Sequence, residues 1–68
     1  MITMPNFPKR LKKIRKSKGL TQKELAEKIG INKSYVSRYE KGEHLPSLVI
    51  FEWICQALEV SSKDLLGF

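Results

Sequence analysis

The stretch Thr21-Gln22-Lys23-Glu24-Leu25-Ala26-Glu27-Lys28-Ile29-Gly30-Ile31-Asn32-Lys33-Ser34-Tyr35-Val36-Ser37-Arg38-Tyr39-Glu40-Lys41-Gly42 reads as two short helices with almost no chain between them. Thr21 and Glu24 have the spacing of a capping box, in which each side chain accepts from the other's backbone amide at a helix start. Leu20 before the cap and Leu25 in the first turn match the apolar pair that staples such a start. Leu25 and Ile29 form an inward stripe, and Gly30 is a stop because its backbone tolerates positive φ. Only Ile31 and the expected N-cap Asn32 precede the next helix, from Lys33 to about Lys41, which Gly42 closes. A connection this short leaves no slack, so the two helices must cross sharply.

Working outward, a helix from Pro8 to about Lys18 is expected before this pair, with Phe7, Leu11 and Ile14 on one stripe and Gly19 as its stop. After it, Glu43-His44-Leu45-Pro46 reads as a loop. A strongly apolar helix follows, from about Ser47 to Glu59. Ser61 and Asp64 repeat the capping spacing and start a short fifth helix through Leu66. No segment alternates like a strand, so the chain reads as all-α and as one domain over 8–68, after a tail at 1–7. A chain of 68 residues buries only roughly 60% of its unfolded surface, so every helix must feed one shared core.

The formal charge is +6, unevenly spread. Met1 to Gly42 holds twelve Lys and Arg against three Glu, whereas Glu43 to Phe68 holds one Lys against four acids. Such a layout suits a polyanion docking on one face. The run Lys9 to Lys18 has too thin an apolar face to favour a membrane-surface helix. No apolar run approaches the ~20 residues that span a bilayer. The single cysteine, Cys55, rules out an internal disulfide and fits a reducing cytoplasm. One His and one Cys supply neither a nucleophile–base pair nor a metal-ligand spacing, so no catalysis, metal or cofactor is expected.

Several spaced elements agree in order with one known pattern. Gly19 to Ala26, then Val36-Ser37-Arg38-Tyr39-Glu40-Lys41-Gly42, then Pro46-Ser47-Leu48, resemble the lambda-repressor-like, Cro-type helix-turn-helix family, also called the XRE family. The likeness covers about residues 8 to 66. It implies a compact five-helix fold, with the helix-turn-helix proper at about 21–41. It also implies a sequence-specific regulator of transcription that lays its third helix in the major groove of double-stranded DNA. By the same likeness Gln22 contacts phosphate, and Arg15 pairs with Glu40 to fix the first helix against the third.

At about 100° per residue the third helix can be read independently of the likeness. With Lys33 at zero, Ser37, Lys41, Ser34 and Arg38 fall within roughly 140° of arc, and Val36 and Tyr39 lie opposite. That outer face has cations and hydroxyls and no carboxylate. Lys33 and Arg38 can donate to guanine O6 and N7, and Ser34 and Ser37 can pair with several bases. Lys23, Asn32 and Lys41 are candidate phosphate contacts beside Gln22, as are Lys9, Arg10, Lys12 and Lys13 if they face the duplex. Tyr35 falls at the core boundary, where packing is the expected role.

The fourth helix has more apolar residues than a single inward stripe needs. Leu48, Phe51, Ile54, Cys55 and Leu58 make the expected core face, while Val49, Ile50, Trp53 and Ala57 make a second. A large exposed apolar patch marks an interface. The expected partner is a second copy, meeting through Val49, Ile50, Trp53, Leu65, Leu66 and Phe68; the N-terminal tail folding over Trp53 is the alternative. A two-fold dimer would read a pseudo-palindromic operator. The rival function is an antitoxin or other protein-interaction module that retains the fold.

Overall fold

The computed structural model describes residues 6–67. Five helices follow one another: α1 (Phe7–Ser17), α2 (Gln22–Ile29), α3 (Lys33–Lys41), α4 (Leu48–Leu58) and α5 (Ser62–Leu66). Among the described residues none is in a strand.

The local signals act as their chemistry requires. Thr21 Oγ1 accepts from the Glu24 amide at 3.0 Å, and Glu24 Oε1 accepts from the Thr21 amide at 2.9 Å. Asn32 Oδ1 caps α3 by accepting from the Ser34 amide at 2.9 Å. Between α2 and α3 the chain reverses at Gly30, whose φ of 87° is costly for any residue with a Cβ. The turn therefore sets α2 and α3 in direct contact.

Every helix contributes to one core. Phe7 and Leu11 come from α1, Leu25 and Ala26 from α2, Val36 and Tyr39 from α3, Phe51, Ile54 and Leu58 from α4, and Leu65 from α5. α1 lies against α3 and α5, while α2 lies against α3 and α4. Each fully buried Leu, Ile, Val or Phe contributes about 1.5–3 kcal/mol relative to exposure.

Four residues depart from the sequence reading, all near helix ends. Phe7, expected in the tail, opens α1 and is fully buried, with its ring centroid 5.8 Å from that of Phe51. Pro8 is therefore the second helical residue, a position where its missing amide still costs nothing. Leu48, expected in the core, is 74% exposed. It opens α4 on the same flank as the half-buried Cys55, one turn before the helix becomes enclosed. Glu59, expected inside α4, is its cap in the left-handed conformation, with φ 57°. Leu65, expected at an interface between copies, is fully buried and so has no surface to give a partner. The docking of α5 on α1 consumes it. Residues 1–5 of the expected tail, and Phe68, lie outside the described residues.

Candidate nucleic-acid interface

α3 buries Val36 and Tyr39 and turns its other side outward. Lys33, Ser34, Arg38 and Lys41 are exposed there, and Ser37 is half-buried. The one acid of this helix, Glu40, is withdrawn from that side by its partners. Arg15 Nε donates to Glu40 Oε2 at 2.6 Å and Arg15 Nη2 to Oε1 at 3.1 Å, a two-pronged contact that suits the planar guanidinium. The two side chains keep only 7% and 3% of their accessible surface. Arg15 Nη1 also donates to the Leu20 carbonyl at 2.6 Å, so one guanidinium joins α1, the approach to α2, and α3.

Gln22 completes this group. It is the first residue of α2, and its Nε2 donates to Glu40 Oε1 at 3.0 Å. One of its two amide hydrogens is thereby committed and the other is free for an acceptor outside. The flip of the amide is fixed, since only the nitrogen can donate to a carboxylate. Gln22 sits at a helix N-terminus, where backbone amides and the helix dipole favour an anion. Lys23 is exposed beside it. Asn32 spends its oxygen on the α3 cap and retains its Nδ2 hydrogens. Nearby, the Thr21 amide and hydroxyl hold the Glu24 carboxyl below the usual glutamate range.

Arg10 has one donor committed, because its Nε donates to the Asp64 carbonyl and ties α1 to α5. Conversely, an aromatic ledge at the edge of the α3 face had no expected outward role. Tyr35 is 42% exposed, and the Arg38 guanidinium carbon lies 6.0 Å from its ring centroid. His44, from the loop after α3, stacks on Tyr39 at 5.9 Å and lies 6.2 Å from Tyr35. The i, i+3 spacing of Tyr35 and Arg38 was the available signal, whereas the His44 stack depends on how the loop returns.

On the far side of the chain sequence, α4 exposes Val49 and Trp53 as well as Leu48. Glu52 and Gln56 are exposed on the same helix, and Gln56 separates two grooves. One, of about 430 Å³, is lined by Lys28, Ile29, Trp53, Gln56, Ala57 and Glu59. The other, of about 380 Å³, is lined by Leu48, Phe51, Glu52, Cys55, Gln56 and Ser62. Ile50 and Leu66 are half-buried against the core. Among the described residues, no cluster of His, Cys, Asp and Glu is placed to hold a metal ion. No helix among them is long and apolar enough to cross a membrane.

Two short helices crossing at a glycine turn, the second with a cationic outer face, define a helix-turn-helix protein. The chain belongs to the Helix-turn-helix family HTH_3, whose model matches residues 11–65. It is 43% identical over 58 residues to the HTH-type transcriptional regulator SinR of Bacillus subtilis, covering 84% of this chain and 52% of that protein. A crystal structure of SinR in complex with DNA superposes with a TM-score of 0.82 at 41% identity, covering 88% of this chain and 97% of that one. Antitoxin PezA of Streptococcus pneumoniae is 41% identical over 59 residues, covering 87% of this chain and 37% of PezA. The restriction-modification controller protein C.AhdI of Aeromonas hydrophila superposes with a TM-score of 0.85 at 35% identity, covering 91% of this chain and 94% of that one. The chain thus spans less than two thirds of the curated relatives SinR and PezA.

Proposed function

We propose that this protein binds double-stranded DNA sequence-specifically and regulates transcription, as a repressor or autoregulator. The observation that carries the reading is the outer face of α3, which shows Lys33, Ser34, Ser37, Arg38 and Lys41 while the helix's one carboxylate, Glu40, is held by Arg15 and Gln22. A solvated helix face ordinarily mixes signs; an acid-free one matches the phosphate-lined groove. In this reading α3 enters the major groove. Arg38 and Lys33 donate to base edges, and Ser34 and Ser37 fill shorter gaps. Gln22, Lys23, Asn32 and Lys41 take phosphates and fix the register of the helix. The Arg15–Glu40 pair aims Gln22 and α3 together. SinR, solved in complex with DNA, supports this assignment by its likeness. In the same reading the chain works in the cytoplasm. No catalytic role is assigned to His44 or Cys55, and no cofactor or small-molecule substrate.

The decisive experiment is selection of bound sites from random duplexes with the wild type and with Arg38→Ala. Direct readout predicts a loss of about 1–3 kcal/mol confined to particular base positions. Uniform weakening would move Arg38 to a phosphate, and no enrichment by the wild type would remove the sequence-specific claim.

The ridge of Val49 and Trp53, joined by Leu48, is proposed to meet a second copy, with each ridge entering a groove beside its mate. Ile50 and Leu66 have only part of their surface left for that contact. A two-fold pair would set two α3 helices about 34 Å apart, on successive turns of a pseudo-palindromic operator. Gel filtration of the wild type and Trp53→Glu tests it. A dimer that Trp53→Glu splits is expected, and a monomeric wild type ends the idea. The likeness to PezA favours a second reading, an antitoxin that uses the same fold to hold a protein partner. A chain whose α3 substitutions leave DNA binding untouched would favour that reading.

A further inference from the structure

Arg38 is one of the exposed residues to which base reading is assigned above, and a long exposed side chain is poorly aimed unless something holds it. The structure places a holder beside it. The Tyr35 ring, three residues back on α3, has its centroid 6.0 Å from the Arg38 guanidinium carbon, within reach of a cation–π contact. Tyr35 is 42% exposed, so burial does not explain its place. It is braced from behind. Its centroid is 6.4 Å from that of Tyr39, which is only 4% exposed and belongs to the core. It is also 6.2 Å from the ring of His44, which stacks on Tyr39 at an interplanar angle of 15°. The order of support runs from the core through Tyr39 and His44 to Tyr35, and from Tyr35 to Arg38.

We propose that Tyr35, braced by Tyr39 and His44, is a positioning residue that aims Arg38 and so sharpens the choice of base opposite it. The inference rests on the base-reading role given to Arg38 above. A guanidinium stacked on a ring keeps its edge of N–H donors free, and that edge is the part that pairs with guanine O6 and N7. The ring confines the fork to fewer orientations before DNA arrives, which reduces the ordering cost on binding. His44 comes from the loop between α3 and α4, so the seating of that loop enters base choice without contact to a base.

The test is site selection and competition binding with Tyr35→Leu, Tyr35→Phe, His44→Leu and His44→Phe, alone and in an Arg38→Ala background. Tyr35→Leu is expected to reduce the preference at the base pair assigned by Arg38→Ala by about two- to fivefold, the range of an exposed cation–π contact. Preferences at other positions are expected to hold. Tyr35→Phe retains the ring and should restore the preference. His44→Leu should give a smaller loss at the same position, and His44→Phe should recover it. In the Arg38→Ala background neither leucine variant should change discrimination further. The proposal is overturned if Tyr35→Leu weakens all sequences equally, or if it alters a different base position. It is also overturned if Tyr35→Phe behaves like Tyr35→Leu, because the hydroxyl would then be the contact. If Tyr35→Leu does not fold, the histidine pair carries the same comparison. A wild type that enriches no sequence removes the functional reading itself. A wild type that enriches a site governed by Arg38, yet is indifferent to the ring variants, removes this inference alone.

Discussion

Helices α3 and α4 each bury one stripe and present the other to the outside, but they present opposite chemistry. α3 shows Lys33, Ser34, Arg38 and Lys41, whereas α4 shows Leu48, Val49 and Trp53 around Glu52 and Gln56. Their attachments differ as well. α3 is held by Val36 and Tyr39 and also by the ionic link from Glu40 to α1, whereas α4 is held by Phe51, Ile54 and Leu58. They also end differently. α3, like α2 before it, closes on a glycine in the left-handed region, and α4 closes on Glu59 in that same region. A helix that must present charges at fixed positions is pinned at its sides and ends. One that presents an apolar ridge is held mainly by the fit of its inner face, and a poor cap is tolerated.

The largest effect should come from breaking the polar anchor of α3. Arg15→Met leaves the Glu40 carboxylate buried with only Gln22 as a neutral donor, and such an orphaned charge costs about 3–5 kcal/mol. In a domain this small that loss approaches the whole stability. The double variant Arg15→Met, Glu40→Leu should recover most of it, because no unpaired charge remains. Urea unfolding of the three chains measures this. A loss below about 1 kcal/mol in the single variant would reduce the pair to an ordinary surface bridge and erase the contrast with α4.

The same contrast explains what could be read from the sequence. The α2–α3 unit is written in local chemistry: Thr21 with Glu24, Gly30, Asn32 and Gly42 each act within a turn of their own position. Its limits and its outer face were therefore legible. Leu65 was not, because its burial depends on α5 docking against α1, a contact between opposite ends of the chain. Leu48 was misplaced for a related reason. It opens a helix, where the periodic stripe has no preceding turn to fix its phase, and neighbouring helices decide whether it is covered. Phe7 was read on the right stripe, and only the start of α1 moved by one residue to include it. Glu59 gave no stop signal at all, since nothing about a glutamate favours the left-handed region. The Tyr35–His44 ledge needed the path of a loop, which sequence spacing does not carry.

An intermediate effect is expected where α4 ends. The Glu59 backbone has φ 57° and ψ 45°, a conformation that strains a residue with a Cβ. Glu59→Gly relieves that strain while adding freedom to the unfolded chain. The net gain should be about 0.5–1 kcal/mol. A thermal midpoint several degrees above wild type is the expected reading. An unchanged or lower midpoint would mean that the carboxylate, facing the groove it shares with Lys28, stabilises the chain enough to offset the strain. The end of α4 would then be as well specified as those of α2 and α3.

The smallest effect concerns the start of α2, where the local signal is a charge. Hydrogen bonds from the Thr21 amide and hydroxyl, aided by Lys28, hold the Glu24 carboxyl below its ordinary value of 4.5 in the folded chain. The ionised form therefore favours folding above about pH 4.5, and that contribution disappears as pH falls from there through the lowered folded-state value. Asp64 behaves alike in the α5 box, starting from 3.8, so some acid loss persists whatever happens at Glu24. Glu24→Gln keeps a side chain that can reach the Thr21 amide but removes the proton equilibrium. Urea midpoints measured from pH 7 downward should converge, with the wild type higher at neutral pH and falling more steeply below about pH 4.5. Parallel acid limbs would show that the charge of Glu24 adds nothing to its hydrogen bond. The start of α2 would then be specified by shape alone, as the core face of α4 is.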